Sequence, residues 1–124
     1  MNDPEVTMPD ANRRSDLIAY ETALTAAGVA IRLVLRVPAP LKSLAEQVVR
    51  AASSVPANLS EGSGRSGRDR IHHWRIAYGS AKEVDCHLRL LAHVGAVDWA
   101  RAETARQMFD EVRAMTWRLL HPTV

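Results

Sequence analysis

Apolar residues recur every three or four positions in four separate stretches of this chain, a period that belongs to helices packing on one another. The first stretch carries Leu17, Tyr20, Leu24, Ala27, Ile31 and Val34, and the second Leu41, Leu44, Val48, Ala52 and Val55. The third carries Ile71, Trp74, Ala77, Tyr78, Ala81, Val84, Leu88 and Leu91, and the fourth Ala105, Met108, Val112, Met115 and Leu119. Nothing alternates with period two, and aromatics make up only 5% of the residues, so no sheet is expected. A length of 124 residues supports one core and not two. The expected fold is therefore all-α: an antiparallel, up-down-up-down four-helix bundle over residues 13–124.

Start and stop signals divide the stretches. Residues 1–12, with Pro4 and Pro9 and three acids, read as a disordered acidic leader. Helix 1 is expected from near Ser15, a capping residue, to near Val37, where Pro38 and Pro40 end it. Helix 2 follows from Leu41, and Pro56 lies inside its pattern, where a proline costs about 3 kcal/mol and predicts a kink or break near 53–56. Ser53, Ser54 and Asn58 stand ready to satisfy the backbone groups freed there. The run Gly62–Gly67 is a loop, after which Ser66 and Asp69 suggest a capping box for helix 3, and Asp98 a cap for helix 4. Helix 1 has a second apolar stripe, Ile18, Ala26, Val29, Leu33 and Val37. Either the protein associates with itself through a spare face, or the core is broad and one helix is central.

Charge and composition narrow the function. The single cysteine, Cys86, forms no internal disulfide, and no basic flank precedes an apolar run at the N-terminus. The most apolar stretch, residues 23–37, holds Arg32 and Arg36 and reads as too short to span a bilayer, so a cytoplasmic protein without membrane contact is expected. The net charge is +2, and because the acidic leader has no base, the rest of the chain is more positive still. Nearly all of its bases are arginines, which bind phosphate oxygens two at a time, although a GC-rich genome produces the same bias.

The glycine loop matches G-x-G-x-x-G, but a helix leads into it and no parallel sheet is present, so it is not a dinucleotide site. Its weaker physics persists: glycines expose N–H groups, a helix begins there, and Arg65, Arg68, Arg70 and Arg75 crowd the same corner. Those four are the candidate phosphate or nucleic-acid ligands. No Glu-x-x-His pair exists for a di-iron centre, so neither a metal nor another cofactor is expected, and no residue is assigned a catalytic role. The run Arg68 to His73 resembles the R-x4-6-H motif of HEPN ribonucleases, which keeps a metal-independent ribonuclease using Arg68 with His73 or His72 as an alternative.

The segment SSVPANLSEGSGRSGR, with IAYGSAKEVDCHLRLLAHVGAVD after it, resembles the four-helix proteins named for the 23S ribosomal RNA intervening sequence. The residues carrying the likeness are Pro56, Asn58, Glu61 and Gly62 on helix 2 and Gly79, Ser80 and Glu83 on helix 3, with Ser60 departing from the pattern. The resemblance implies a ring-shaped homopentamer, a proline kept within helix 2, and no known catalysis. The related accessory variability determinant of diversity-generating retroelements implies nucleic acid and a reverse transcriptase as partners. The expected function is a non-enzymatic oligomeric scaffold that binds RNA or DNA backbone. A module for an unidentified protein partner is the remaining alternative.

Overall fold

The structure, a computed structural model, describes residues 10–123. Four helices account for most of them: α1 (Asp10–Val34), α2 (Lys42–Ser63), α3 (Gly67–His93) and α4 (Trp99–Leu120), with a 3-10 turn at Ala39–Leu41. No strand occurs among the described residues. Each helix packs on two neighbours, α1 on α2 and α4, α3 on α2 and α4, while α1 does not meet α3 and α2 does not meet α4. This is a four-cornered bundle around a single core that includes Val48, Val55, Leu59, Val84, Leu88, Leu91, Phe109 and Val112.

The helix ends follow the chain's punctuation in part, and the expected loop over Gly62–Gly67 narrows to residues 64–66, with Gly62 and Ser63 closing α2 and Gly67 opening α3. Asp98 caps α4, its carboxylate accepting from the Arg101 N–H at 3.0 Å. Gly95, at φ 76°, closes α3 in a conformation that favours glycine, and the Ala96 N–H returns to the Leu91 carbonyl. Ser66 precedes α3 in extended geometry but its hydroxyl makes no capping bond, so the expected capping box does not form. Ser15 is not a cap either, since α1 begins at Asp10. Of the expected leader, residues 1–9 lie outside the described residues, and residues 10–12 belong to α1. The break expected at Pro56 is absent: α2 is continuous, with the proline buried inside it. The Asn58 side-chain amide donates to the Ser54 carbonyl at 2.9 Å, tying the turn around the buried proline from the side.

The expected seam of α1 is only partly inward: Ala27 and Val34 are buried and Tyr20 and Ile31 pack against the core, but the helix is turned so that Leu17 and Leu24 face out. Ala19, Ala23, Ala26, Ala27, Ala30 and Val34 point into the bundle, whereas Leu17 and Leu24 are 57% and 43% exposed. Alanines allow helices to approach closely, and with small residues on one side and leucines on the other, the small side went inward. Much of the second stripe joins the core, with Ala26 buried and Val29, Leu33 and Val37 packed against it, leaving Ile18 exposed. Leu17, Leu24, Ile31 and Leu35 therefore run down the outer edge of α1, of which only Ile31 is half-buried. Measured along this helix, Ser15–Val34 is 20 residues with a mean hydropathy of 1.5, so length and composition do suit a bilayer, contrary to the shorter stretch read from sequence.

Candidate functional site

The turn between α2 and α3 is built on one indole. Trp74, buried, donates from Nε1 to the Leu59 carbonyl at 3.2 Å and lies flat against Gly62. A Cβ on Gly62 would stand 2.4 Å from Trp74 Cδ1, which explains why this position is glycine. Arg70 covers the ring, with Cζ 5.5 Å from its centroid, and donates from Nε to the Gly62 carbonyl at 3.1 Å and from Nη2 to the Ser63 carbonyl at 3.3 Å. The Ser63 carbonyl, left open by the end of α2, thus gains a donor from α3, and the Gly62 carbonyl, which also accepts from the Arg65 N–H at 3.1 Å, gains a second one.

The four candidate arginines therefore divide. Arg70 is engaged in closing α2, and Arg65 lies between Glu61 at 3.4 Å and Asp69 at 3.9 Å. Arg68 and Arg75 are exposed and make no ion pair among the described residues. They border a cleft of about 790 Å³ at the start of α3, floored by Ile71 and Leu119 and completed by Arg118 from the end of α4. Arg118 was not singled out in the sequence because it comes from the far end of the chain.

Arg68 and Arg75 also begin something longer. Arg68, Arg75, Lys82 and Arg89 are seven residues apart, with His72, Gly79 and Cys86 between them and His93 beyond, at alternating spacings of four and three. All eight are exposed, opposite the inward line of Trp74, Ala77, Ala81, Val84, Leu88 and Leu91. At 1.5 Å per residue the stripe is about 32 Å long. It holds no acid, and none of its four strong bases is ion-paired among the described residues. Heptad counting of basic residues, applied as it was to apolar ones, finds this stripe in the sequence.

The other motif residues form a polar chain between α2 and α3. Buried Ser80 donates to Ser54 Oγ at 2.9 Å, and Asn58 Nδ2 donates to the same oxygen at 3.0 Å as well as to the Ser54 carbonyl. A carbonyl only accepts, so the Asn58 amide is fixed with Oδ1 turned to His73 Nδ1, 2.9 Å away, and that nitrogen carries the proton. His73 thus leans toward α2. Arg68, five residues earlier, points about 140° away around the helix, so one chain does not bring Arg68 and His73 together, whereas His72, four residues after Arg68, shares its exposed face. Glu61 and Glu83 are exposed, and Gly79 faces open space, with nothing within 4 Å of where its Cβ would be. Within the chain it is Ser80, not Gly79, that meets a neighbouring helix.

Elsewhere on the α3–α4 seam, Arg106 donates to Asp85 at 2.6 Å and to Glu103. Burial works against its charge, but the bond to Asp85 and the nearby Asp85, Glu103 and Asp110 carboxylates more than offset this and hold its pKa above the ordinary arginine value.

A crystal structure of a protein of unknown function from the S23 ribosomal protein family of Bacteroides thetaiotaomicron superposes on this chain with a TM-score of 0.79. It shares 21% of residues and covers 86% of this chain and 98% of that one, a likeness of fold. No curated protein is similar to the chain. The family described as 23S rRNA-intervening sequence protein matches residues 15–118, further toward the N-terminus than the motif segment and into α1. With a match that spans parts of all four helices and includes the Pro56–Gly62 and Gly79–Glu83 segments, the chain belongs to the 23S rRNA-intervening sequence protein family.

Proposed function

We propose that this protein is a non-enzymatic cytoplasmic scaffold that assembles with copies of itself and holds nucleic-acid backbone on the outer face of α3. The observation that carries the reading is the acid-free stripe of Arg68, Arg75, Lys82 and Arg89, with Arg118 beside its first turn. Phosphates on a strand displace counterions from such a surface, and the open N–H groups at the start of α3 add to the field. Within each subunit the helices run up-down-up-down. Supporting this, Asp16 near the start of α1 accepts from Ser63 at the end of α2, and Ser54 and Asn58 reach Ser80 and His73 in reversed order.

Assembly is supported by the leucine edge of α1, uncovered in the single chain. A ring of five, the arrangement the family resemblance implies, would repeat the basic stripe and convert weak contacts into avidity. Although α1 is apolar enough for a bilayer, it packs on both α2 and α4, which supports a bundle helix in water.

The test is fluorescence polarisation with labelled RNA and DNA of about 16 nucleotides, over about 50–200 mM salt. Affinity should fall linearly on logarithmic axes with a slope near −0.7 for each phosphate held. Absence of binding at the lowest salt would overturn the reading.

A further inference from the structure

Two of the chain's three tryptophans are exposed, Trp99 by 56% and Trp117 by 50%, while Trp74 lies in the core. An exposed indole is a large apolar surface left in water, and both of these lie on one edge of α4. They are separated by eighteen residues, which is about five full turns and about 27 Å. That edge faces α3. Arg106, on the same edge, bonds to Asp85 of α3, Trp99 meets the His93 ring edge-on at 5.3 Å, and Trp117 borders a depression shared with Tyr78 and Lys82. His121 stacks on Trp117, with centroids 4.2 Å apart and planes at 23°, and so fixes the ring's orientation.

The charges along this seam are sorted. Asp85 and Glu103 are taken by Arg106, and Asp110 by Arg113 at 2.6 Å. Arg75, Lys82, Arg89 and Arg118 are left without an ion pair among the described residues. The unpaired bases therefore form a positive line along the seam, with Arg75 to Arg89 covering about 21 Å of α3 between the two aromatic platforms.

We infer that the seam between α3 and α4 is a track for single-stranded nucleic acid, with phosphates on Arg75, Lys82, Arg89 and Arg118 and bases stacked on Trp117 and Trp99. This rests on the nucleic-acid reading above and adds the class of ligand. A duplex keeps its base faces inside its own stack and offers nothing for an exposed indole, whereas an unpaired strand presents every base face. Stacking of this kind tolerates any base, so the track discriminates by strandedness more than by sequence.

The experiment uses the full chain and compares a single strand with its own duplex by polarisation across the salt series. The single strand should bind more tightly. Trp117→Ala and Trp99→Ala should each weaken it about fivefold or more, with the salt slope and duplex affinity unchanged. Trp117→Phe should restore most of the loss, and Arg75→Ala should flatten the slope for both ligands. Circular dichroism and light scattering of each variant report fold and mass.

Equal affinity for duplex and strand with no effect of the tryptophan variants would overturn the track and leave nucleic-acid binding standing. A changed mass in Trp117→Ala or Trp99→Ala would overturn it too, assigning the indoles to a subunit contact. Absence of binding to either ligand would remove the underlying reading as well.

Discussion

Gly62→Ala and Gly79→Ala make the same chemical change on two helices, and the structure assigns them opposite signs. At Gly62 the new methyl would stand 2.4 Å from Trp74 Cδ1, 2.5 Å from Nε1 and 3.1 Å from the Arg70 carbonyl. The indole is not free to swing aside, because it is 3% exposed, bonded to the Leu59 carbonyl and covered by Arg70. Overpacking of this kind costs about 1–3 kcal/mol. Losing the indole bond inside the core costs about 1–2 kcal/mol more. The helical advantage of alanine returns at most about 1 kcal/mol, less so close to the end of α2.

The net expectation for Gly62→Ala is a loss of about 2–3 kcal/mol, or a Tm lower by about 8–12 °C for a chain of this size. At Gly79 nothing lies within 4 Å, so only the helical term acts, and Gly79→Ala should gain about 1 kcal/mol and raise Tm by about 4 °C. Thermal melts by circular dichroism at one fixed protein concentration measure both, since association would shift Tm. An unchanged or raised Tm for Gly62→Ala would refute the wedge. A lowered Tm for Gly79→Ala would show that another chain occupies the space beside it.

Asn58→Ala should cost about 1–3 kcal/mol by leaving the His73 Nδ1 proton and the Pro56 turn without their shared partner. Asn58→Asp should cost a similar amount because a carboxylate does not donate to the Ser54 carbonyl, and wild-type urea midpoints for both would dismiss the tie. Arg106→Met should cost about 2 kcal/mol at neutral pH by stranding the half-buried Asp85 carboxylate. Because the folded pKa of Arg106 is raised, its contribution is complete below the unfolded value and is lost only as pH climbs through the folded one. The wild-type-to-variant difference traceable to the Arg106 charge should hence stay level from about pH 6 to 10, which urea titrations at several pH values would check.

The helices were legible because their period is a property of spacing alone, and the inward line of α3 from Trp74 to Leu91 is the one the sequence indicates. The facing of α1 was not legible in that way. Its two stripes are both apolar, and the choice between alanines and leucines depends on how near α2 and α4 stand. On α4 the largest buried side chain, Phe109, fell beside the seam that was read, through a one-residue ambiguity between three- and four-residue steps. Among the arginines, position gave the corner but not the partners: Arg70 turns back to cap α2 because Gly62 leaves room for Trp74 beneath it. The far half of the basic stripe is not legible from local clustering, because Lys82 and Arg89 are seven residues apart and come onto one face only through the helical period.

The turn of α1 separates two roles along one helix. The residues that close the bundle, Ala19, Ala23, Ala26 and Ala30, are not the residues that α1 shows to the outside, Leu17, Leu24 and Leu35. Mutation at an alanine is felt by α2 and α4 at once, whereas mutation at one of those leucines leaves the core untouched. Fold and outer surface are thereby carried by different residues of the same helix.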